Sequence, residues 1–259
     1  MSLAARRRLL ERALGALTIV ALLVLVEVLV RTGVLKRALI PPPSVVAETL
    51  AGILASGKAL APLGETLTIF CLAYATACAL AVGLGLLMGR FRPVHDLFEP
   101  LVEFLRPLPK PALLPPLILF LGIGDAMKLT IIGLGVFFPV LINTVQGVRG
   151  TDPVMIDVAR TFGHRPRNLM FKVVLPSALP MILSGMRVSL GLGLILVVIA
   201  EMLAGTGGVG YLILDMQRSF KVPQMYAWIV ILAVLGYALN AAFVFAERRV
   251  IHWSFVDAR

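Results

Sequence analysis

Charge is what this sequence has least of. Only 15% of its 259 residues are Asp, Glu, Lys or Arg, against about 25% in an ordinary soluble domain, which argues against a water-soluble enzyme. Two cysteines, Cys71 and Cys78, are too few for a disulfide scaffold. On one helix their spacing sets them about 10 Å apart, too far to bridge, so they are read as small packing residues. Glycine shows no fixed period and polar tracts are few, which removes collagen-like and disordered chains. What remains is apolar: 59% hydrophobic residues and a mean hydropathy of +0.96. That composition belongs to an integral membrane protein. The formal net charge of +10 does not mark a nucleic-acid partner, because the basic residues lie between apolar blocks, where they record topology.

A bilayer core of about 30 Å needs roughly 20 apolar residues as helix. Residues 14–30, 63–88, 129–145, 188–204 and 225–246 meet this need. Residues 113–121 are too short alone and suffice only if 101–112, interrupted by Pro107, Pro109 and Pro111, belong to the same crossing. The expectation is an all-α polytopic membrane protein of about six spans, the third bent or partly unwound. It forms one domain over residues 14–259 after an N-terminal segment 1–13. With both termini inside, 17 basic residues fall on the cytoplasmic side and 7 outside, so the positive-inside rule places the termini in the cytoplasm. The apolar run after Arg6, Arg7 and Arg8 meets no small-residue cleavage site and reads as an uncleaved first span.

Between the spans, Pro41-Pro42-Pro43-Ser44 opens a helix over residues 45–60 whose Val45, Val46, Leu50, Ile53 and Leu54 share one face. This reads as an interfacial helix on the outer surface. In the second span Ala75, Ala79 and Gly83, with Ala81, Gly85 and Gly89 beside them, allow close helix approach, either inside one bundle or between subunits.

Residues 52–59 nearly fit a phosphate-binding loop, but Ala59 stands where Ser or Thr would hold magnesium, and no strand precedes them. Residues 205–210, Gly-Thr-Gly-Gly-Val-Gly, fit G-x-G-x-x-G by letter yet follow a membrane helix. The chain therefore does not hydrolyse nucleotide itself. His95, His164 and His252 lie in separate stretches without metal-ligand spacing and read as solvated or interfacial. No Ser occupies a G-x-S-x-G turn. No catalytic or metal-binding residue is assigned.

The loop before the fifth span carries the strongest pattern: Asp157-Val158-Ala159-Arg160-Thr161-Phe162-Gly163, nine residues, then Val173-Val174-Leu175-Pro176. It resembles the EAA signature of permease subunits of ATP-binding-cassette importers: Glu-Ala-Ala, three residues, Gly, nine residues, Ile, one residue, Leu-Pro. Ala159, Gly163, Leu175 and Pro176 match, while Asp157, Val158 and Val173 replace Glu, Ala and Ile with charge sign or apolar character kept. Arg106-Pro107-Leu108-Pro109, the run from Leu114 to Gly124, Phe138-Pro139, Glu201 with its neighbours and Gly207-Gly208-Val209-Gly210-Tyr211 are similar to the nitrate/sulfonate/taurine branch. Local signals agree: Asp152 can cap a helix over 153–162 with Pro153 at its first position, and Gly163 can end it in the left-handed conformation. Pro166 and Pro176 should limit any helix beyond it. The alternative is a basic loop held by lipid headgroups.

The resemblance implies a type I importer permease fold like that of the methionine importer, in the bacterial inner membrane. It implies a coupling loop over residues 149–176, with Asp157, Val158, Ala159, Arg160, Gly163, Leu175 and Pro176 meeting an ATPase subunit. It further implies a homodimer, two such ATPases holding ATP and magnesium, an external solute-binding protein, and no cofactor in this chain. Cargo would be a small anion such as an alkanesulfonate, taurine, nitrate or bicarbonate, or else a thiamine-precursor pyrimidine or riboflavin. A secondary transporter is the rival from another class, but the midspan ionisable residues and internal repeats it needs are not found. Broken backbone at membrane depth survives only beside protein or water. Arg106, Pro107, Pro109, Lys110 and Pro115 are therefore candidates for the transport path. Glu201, near the outer end of the fifth span, joins them as a gate or a structural hydrogen-bond acceptor. Glu27 should reach solvent.

Overall fold

The computed structural model describes residues 3–251, with side chains from Leu14 onward except Ala16. His252, Trp253 and Arg259 lie outside the described residues, as do the side chains of Arg6, Arg7, Arg8 and Arg12. Among the described residues there is no strand. The helices are α1 (Leu3–Arg31), α2 (Pro43–Ala55), α3 (Leu60–Arg90), α4 (Arg92–Leu105), α5 (Leu114–Leu121), α6 (Asp125–Arg149), α7 (Pro153–Thr161), α8 (Pro166–Leu169), α9 (Leu175–Ala204), α10 (Val209–Arg218) and α11 (Val222–Val250). A 3-10 turn (Lys110–Leu113) precedes α5 and a π-helical turn (Met170–Val174) joins α8 to α9.

Among these, α3, α6, the continuous run Pro166–Ala204 and α11 are each long and apolar enough to cross a membrane. Helix α4 and the segment Lys110–Leu121 pass that test together but are bent by 91°. The third span is thus broken, as its prolines predict. Helix α1 covers the first expected span.

Several expectations need correction. The fifth span does not begin near residue 188: its helix runs from Pro166, and Pro176 does not stop it. Pro166 stands in the first turn, where a missing N–H costs nothing. Leu175 N–H then reaches back to Met170 O, a widened turn that lets the helix carry Pro176 onward. Of the two cysteines expected as small packing residues, Cys78 is buried and Cys71 is exposed.

The chain divides into two compact units, Met1–Ala61 with Leu212–Leu232 and Pro62–Tyr211 with Ala233–Arg259. In the first unit α2 ends at Ala55, earlier than the expected 60, where the chain turns through Gly57. Its N-terminus is held from α1. Glu27 accepts from Ser44 N–H (3.0 Å) and Ser44 Oγ (2.7 Å), and Arg31 Nε donates to the same carboxylate (2.6 Å). Glu27 therefore caps a neighbouring helix instead of simply reaching solvent, a contact 17 residues distant that no local pattern announces.

In the second unit α6 is the central helix, with Met127, Ile131, Ile132, Val136, Val140 and Leu141 fully buried. Glycines bring its neighbours in. Gly85 and Gly89 of α3 lie against Thr144 and Val148, and Gly185 of α9 lies against Asn143 and Pro139. The row Ala81, Gly85, Gly89 of the second span is thus packing inside one chain. A Cβ on Gly185 would come within 2.6 Å of Asn143 Cβ and 2.9 Å of Pro139 O. Gly185→Val should therefore separate α6 from α9 at a cost of about 3 kcal/mol or more. We expect little monodisperse protein after detergent extraction of that variant. Gly133→Ala, whose Cβ sits 4.0 Å from Ala77, should extract normally.

Candidate functional site

The segment before α9 folds as its caps dictate. Asp152 accepts from Val154 N–H at 2.8 Å, and Pro153 fills the first position of α7. At the other end Gly163 has φ +77°. Its N–H donates to Arg160 O (2.9 Å), and His164 N–H donates to Ala159 O (3.1 Å). These are the paired bonds of a Schellman cap. Ala159 is buried against Val148, Leu169, Val174, Ala178 and Ile182, with Val173 and Leu175 half-buried beside this cluster. Large side chains face outward: Val154, Met155 and Val158 are exposed, and Phe162 is 81% exposed. At spacings of four, Val154, Val158 and Phe162 form one apolar stripe along a nine-residue helix and its C-cap. Asp157 and Arg160 pair at 3.1 Å on the surface beside it.

The structure therefore divides the seven residues expected for coupling. Ala159 and Leu175 belong to the cluster that roots α7, Pro176 stands in the first turn of α9, Gly163 ends α7, and Asp157, Val158 and Arg160 face outward. Sequence reasoning missed Val154, Met155 and Phe162, although a four-residue apolar spacing ending beside the terminal glycine was there to be read.

The broken third span makes a second feature. Helix α4 has a buried row, His95 and Val102, and a polar row, Asp96, Glu99 and Glu103. His95 Nδ1 lies 3.3 Å from Glu99 and 3.6 Å from Asp96. Of the two settings expected, solvated or interfacial, the solvated one does not hold for His95: it is nearly buried and clusters on α4 with Asp96 and Glu99. At the break, Lys110 Nζ donates to Leu105 O (2.8 Å) and Arg106 O (3.2 Å), satisfying carbonyls that the end of α4 leaves open. The same ammonium lies 4.5 Å from the Phe138 ring centroid. Arg106, Pro107, Lys110, Pro111, Phe138, Pro139, Leu192 and Ile195 line a cavity of about 540 Å³. Three of the expected path residues, Arg106, Pro107 and Lys110, meet there. Pro109, Pro115 and Glu201 do not line it.

Glu201 belongs to a separate site at the far end of α9. It is 1% exposed. Thr66 Oγ1 donates to its Oε1 (2.8 Å) and Gly210 N–H to its Oε2 (2.8 Å), while Val209 N–H donates to Thr66 Oγ1 (2.9 Å). Gly208, at φ +91°, lies so close that a Cβ there would overlap the carboxylate. The Gly-rich segment 205–210 is therefore shaped around an acid, not a phosphate. Beside it, Glu65, Asp125, Lys128, Glu201 and Thr206 line a cavity of about 480 Å³. Lys128 is buried, 3.7 Å from Asp125.

Residues 81–252 match the binding-protein-dependent transport system inner membrane component family. A Bacillus subtilis (strain 168) protein named as an aliphatic sulfonates transport permease is 31% identical over 239 residues, 92% of this chain and 87% of its own length. The taurine transport system permease protein of Escherichia coli (strain K12) is 31% identical over 219 residues, 83% of this chain and 80% of its own. Among solved structures, the MetNI methionine ABC transporter in an inward-facing conformation matches with a TM-score of 0.62 at 19% identity, covering 74% of this chain and 95% of that one. The last likeness bears on the fold alone.

Proposed function

The chain belongs to the family of binding-protein-dependent transport system inner membrane components, and from that premise we propose that α7 is the plug through which a separate ATPase drives this permease. The chain is a transport subunit, not an enzyme, of an ATP-driven importer, and works with an ATPase and a solute-binding protein. The finer reading is ours. The termini and α7 face the cytoplasm, two copies form the path, and two ATPases hold ATP and magnesium against the two α7 helices.

The observation that carries this reading is the stripe of Val154, Val158 and Phe162 standing exposed on a helix whose opposite side is rooted by Ala159. A soluble loop gains nothing from an 81% exposed Phe, whereas a groove on a partner would bury it for about 2 kcal/mol. Because Ala159 of α7 packs with Leu169 and Val174, and α8, the π turn and α9 form one helical run, a push on α7 is passed by side-chain packing into the helix that walls the Pro139–Leu192 cavity. The cavity at the proline break, with Arg106 at its rim, is the stretch of path we assign to an anionic solute. Cargo of the sulfonate or taurine type agrees with the names of these two relatives.

Val158→Ser combined with Phe162→Ser tests the plug. Both side chains are exposed, so the permease itself should keep its thermal stability. Retention of the ATPase through purification should fall about tenfold or more, as for loss of aromatic anchors elsewhere. Unchanged retention would remove α7 from the interface.

A further inference from the structure

Phe220 is the one residue other than glycine with positive φ among the described residues, at +54°. It stands where helix α10 ends. Its N–H donates to Gln217 O (3.1 Å), and Lys221 N–H donates to Met216 O (2.9 Å). This is again a Schellman cap, with phenylalanine in the position that glycine fills at Gly163. A bulky residue is strained in this conformation, and here nothing within the fold repays it: the side chain is 88% exposed, the most exposed of the large apolar residues described. Arg218 and Lys221, both exposed, flank it.

A strained aromatic turned outward between two cations is built to enter something. A fluid bilayer would accept a ring from any direction, so a backbone strained to fix that direction has no use there. A folded partner with a shaped socket does need it, and aromatic residues beside basic ones are the side chains that concentrate binding energy at protein interfaces. We propose that Phe220 is a docking anchor for the external solute-binding protein, entering an apolar socket rimmed by acidic side chains that pair with Arg218 and Lys221. The inference rests on the topology proposed above, which places the turn between α10 and α11 outside.

The test uses the whole transporter in lipid nanodiscs with the solute-binding protein that stimulates the wild-type ATPase. Phe220→Gly and Phe220→Asn both suit the left-handed position and remove the ring. Each should raise the half-saturating concentration of binding protein about tenfold, leaving basal ATPase activity intact and thermal stability equal or higher. A half-saturating concentration unchanged in both variants would overturn the proposal. So would Phe220→Trp fluorescence that is quenched by brominated lipid and unaltered by the binding protein, which would assign the ring to the bilayer. If the wild-type ATPase responds to no binding protein, or a Phe220→Cys thiol reacts only from the cytoplasmic side, the importer topology fails and the anchor fails with it.

Discussion

Gly163→Pro should abolish transport while leaving the protein inserted and folded. Space is not the reason, because a Cβ on Gly163 meets nothing within 4 Å. The backbone is. Proline fixes φ near −65°, but the chain needs +77° here, and the N–H that donates to Arg160 O is removed. The cost is about 3 kcal/mol. A helix of nine residues is below the length that holds itself in water, so its last turn opens and Phe162 leaves the stripe. Uptake in whole cells should fall to background, and co-purified ATPase should fall in parallel. Gly163→Asn, which accepts the left-handed region with little penalty, should retain most of both. Normal uptake by the proline variant would mean that the loop has no part in coupling.

The contrast between Gly163 and Glu201 explains how much of this molecule its sequence makes legible. Helix α7 can be read because its causes are local: Asp152, Pro153 and Gly163 lie within a dozen residues and act on backbone they adjoin. Long apolar runs are as plain, since a bilayer demands length and composition and nothing more. Boundaries set by neighbouring helices are harder. The early start of the fifth helix depends on a π turn that absorbs Pro176, and the proline pattern alone argues for the opposite. Contacts over long separations leave no trace at all. Glu27 finds Ser44, and Glu201 finds Thr66 across 135 positions. Gly-Thr-Gly-Gly-Val-Gly is the instructive case, because its glycines answer to close approach, as in a nucleotide loop, but the group approached is a carboxylate.

That carboxylate gives the second large effect. Glu201→Ala leaves the Thr66 hydroxyl and the Gly210 N–H buried without an acceptor, at about 1–3 kcal/mol each. It also hollows the place where α9, α10 and the start of α3 are tied. Folded protein should be hard to recover, and its unfolding temperature in detergent should drop by several degrees or more. Glu201→Gln separates packing from charge. Its amide oxygen can accept from Gly210 N–H, and its amide nitrogen can donate to Thr66 Oγ1, so most of the tie survives without the negative charge. If Glu201 is a structural acceptor, the glutamine variant should be near wild type in both stability and uptake. If its charge works as a gate opposite Lys128, the glutamine variant should be stable yet transport poorly. The geometry favours the first outcome. Both carboxylate oxygens are already engaged, by Thr66 and Gly210, so turning the carboxylate toward Lys128 would break buried hydrogen bonds. A stable Glu201→Gln protein with uptake near background would overturn the structural assignment and make this acid part of the transport path.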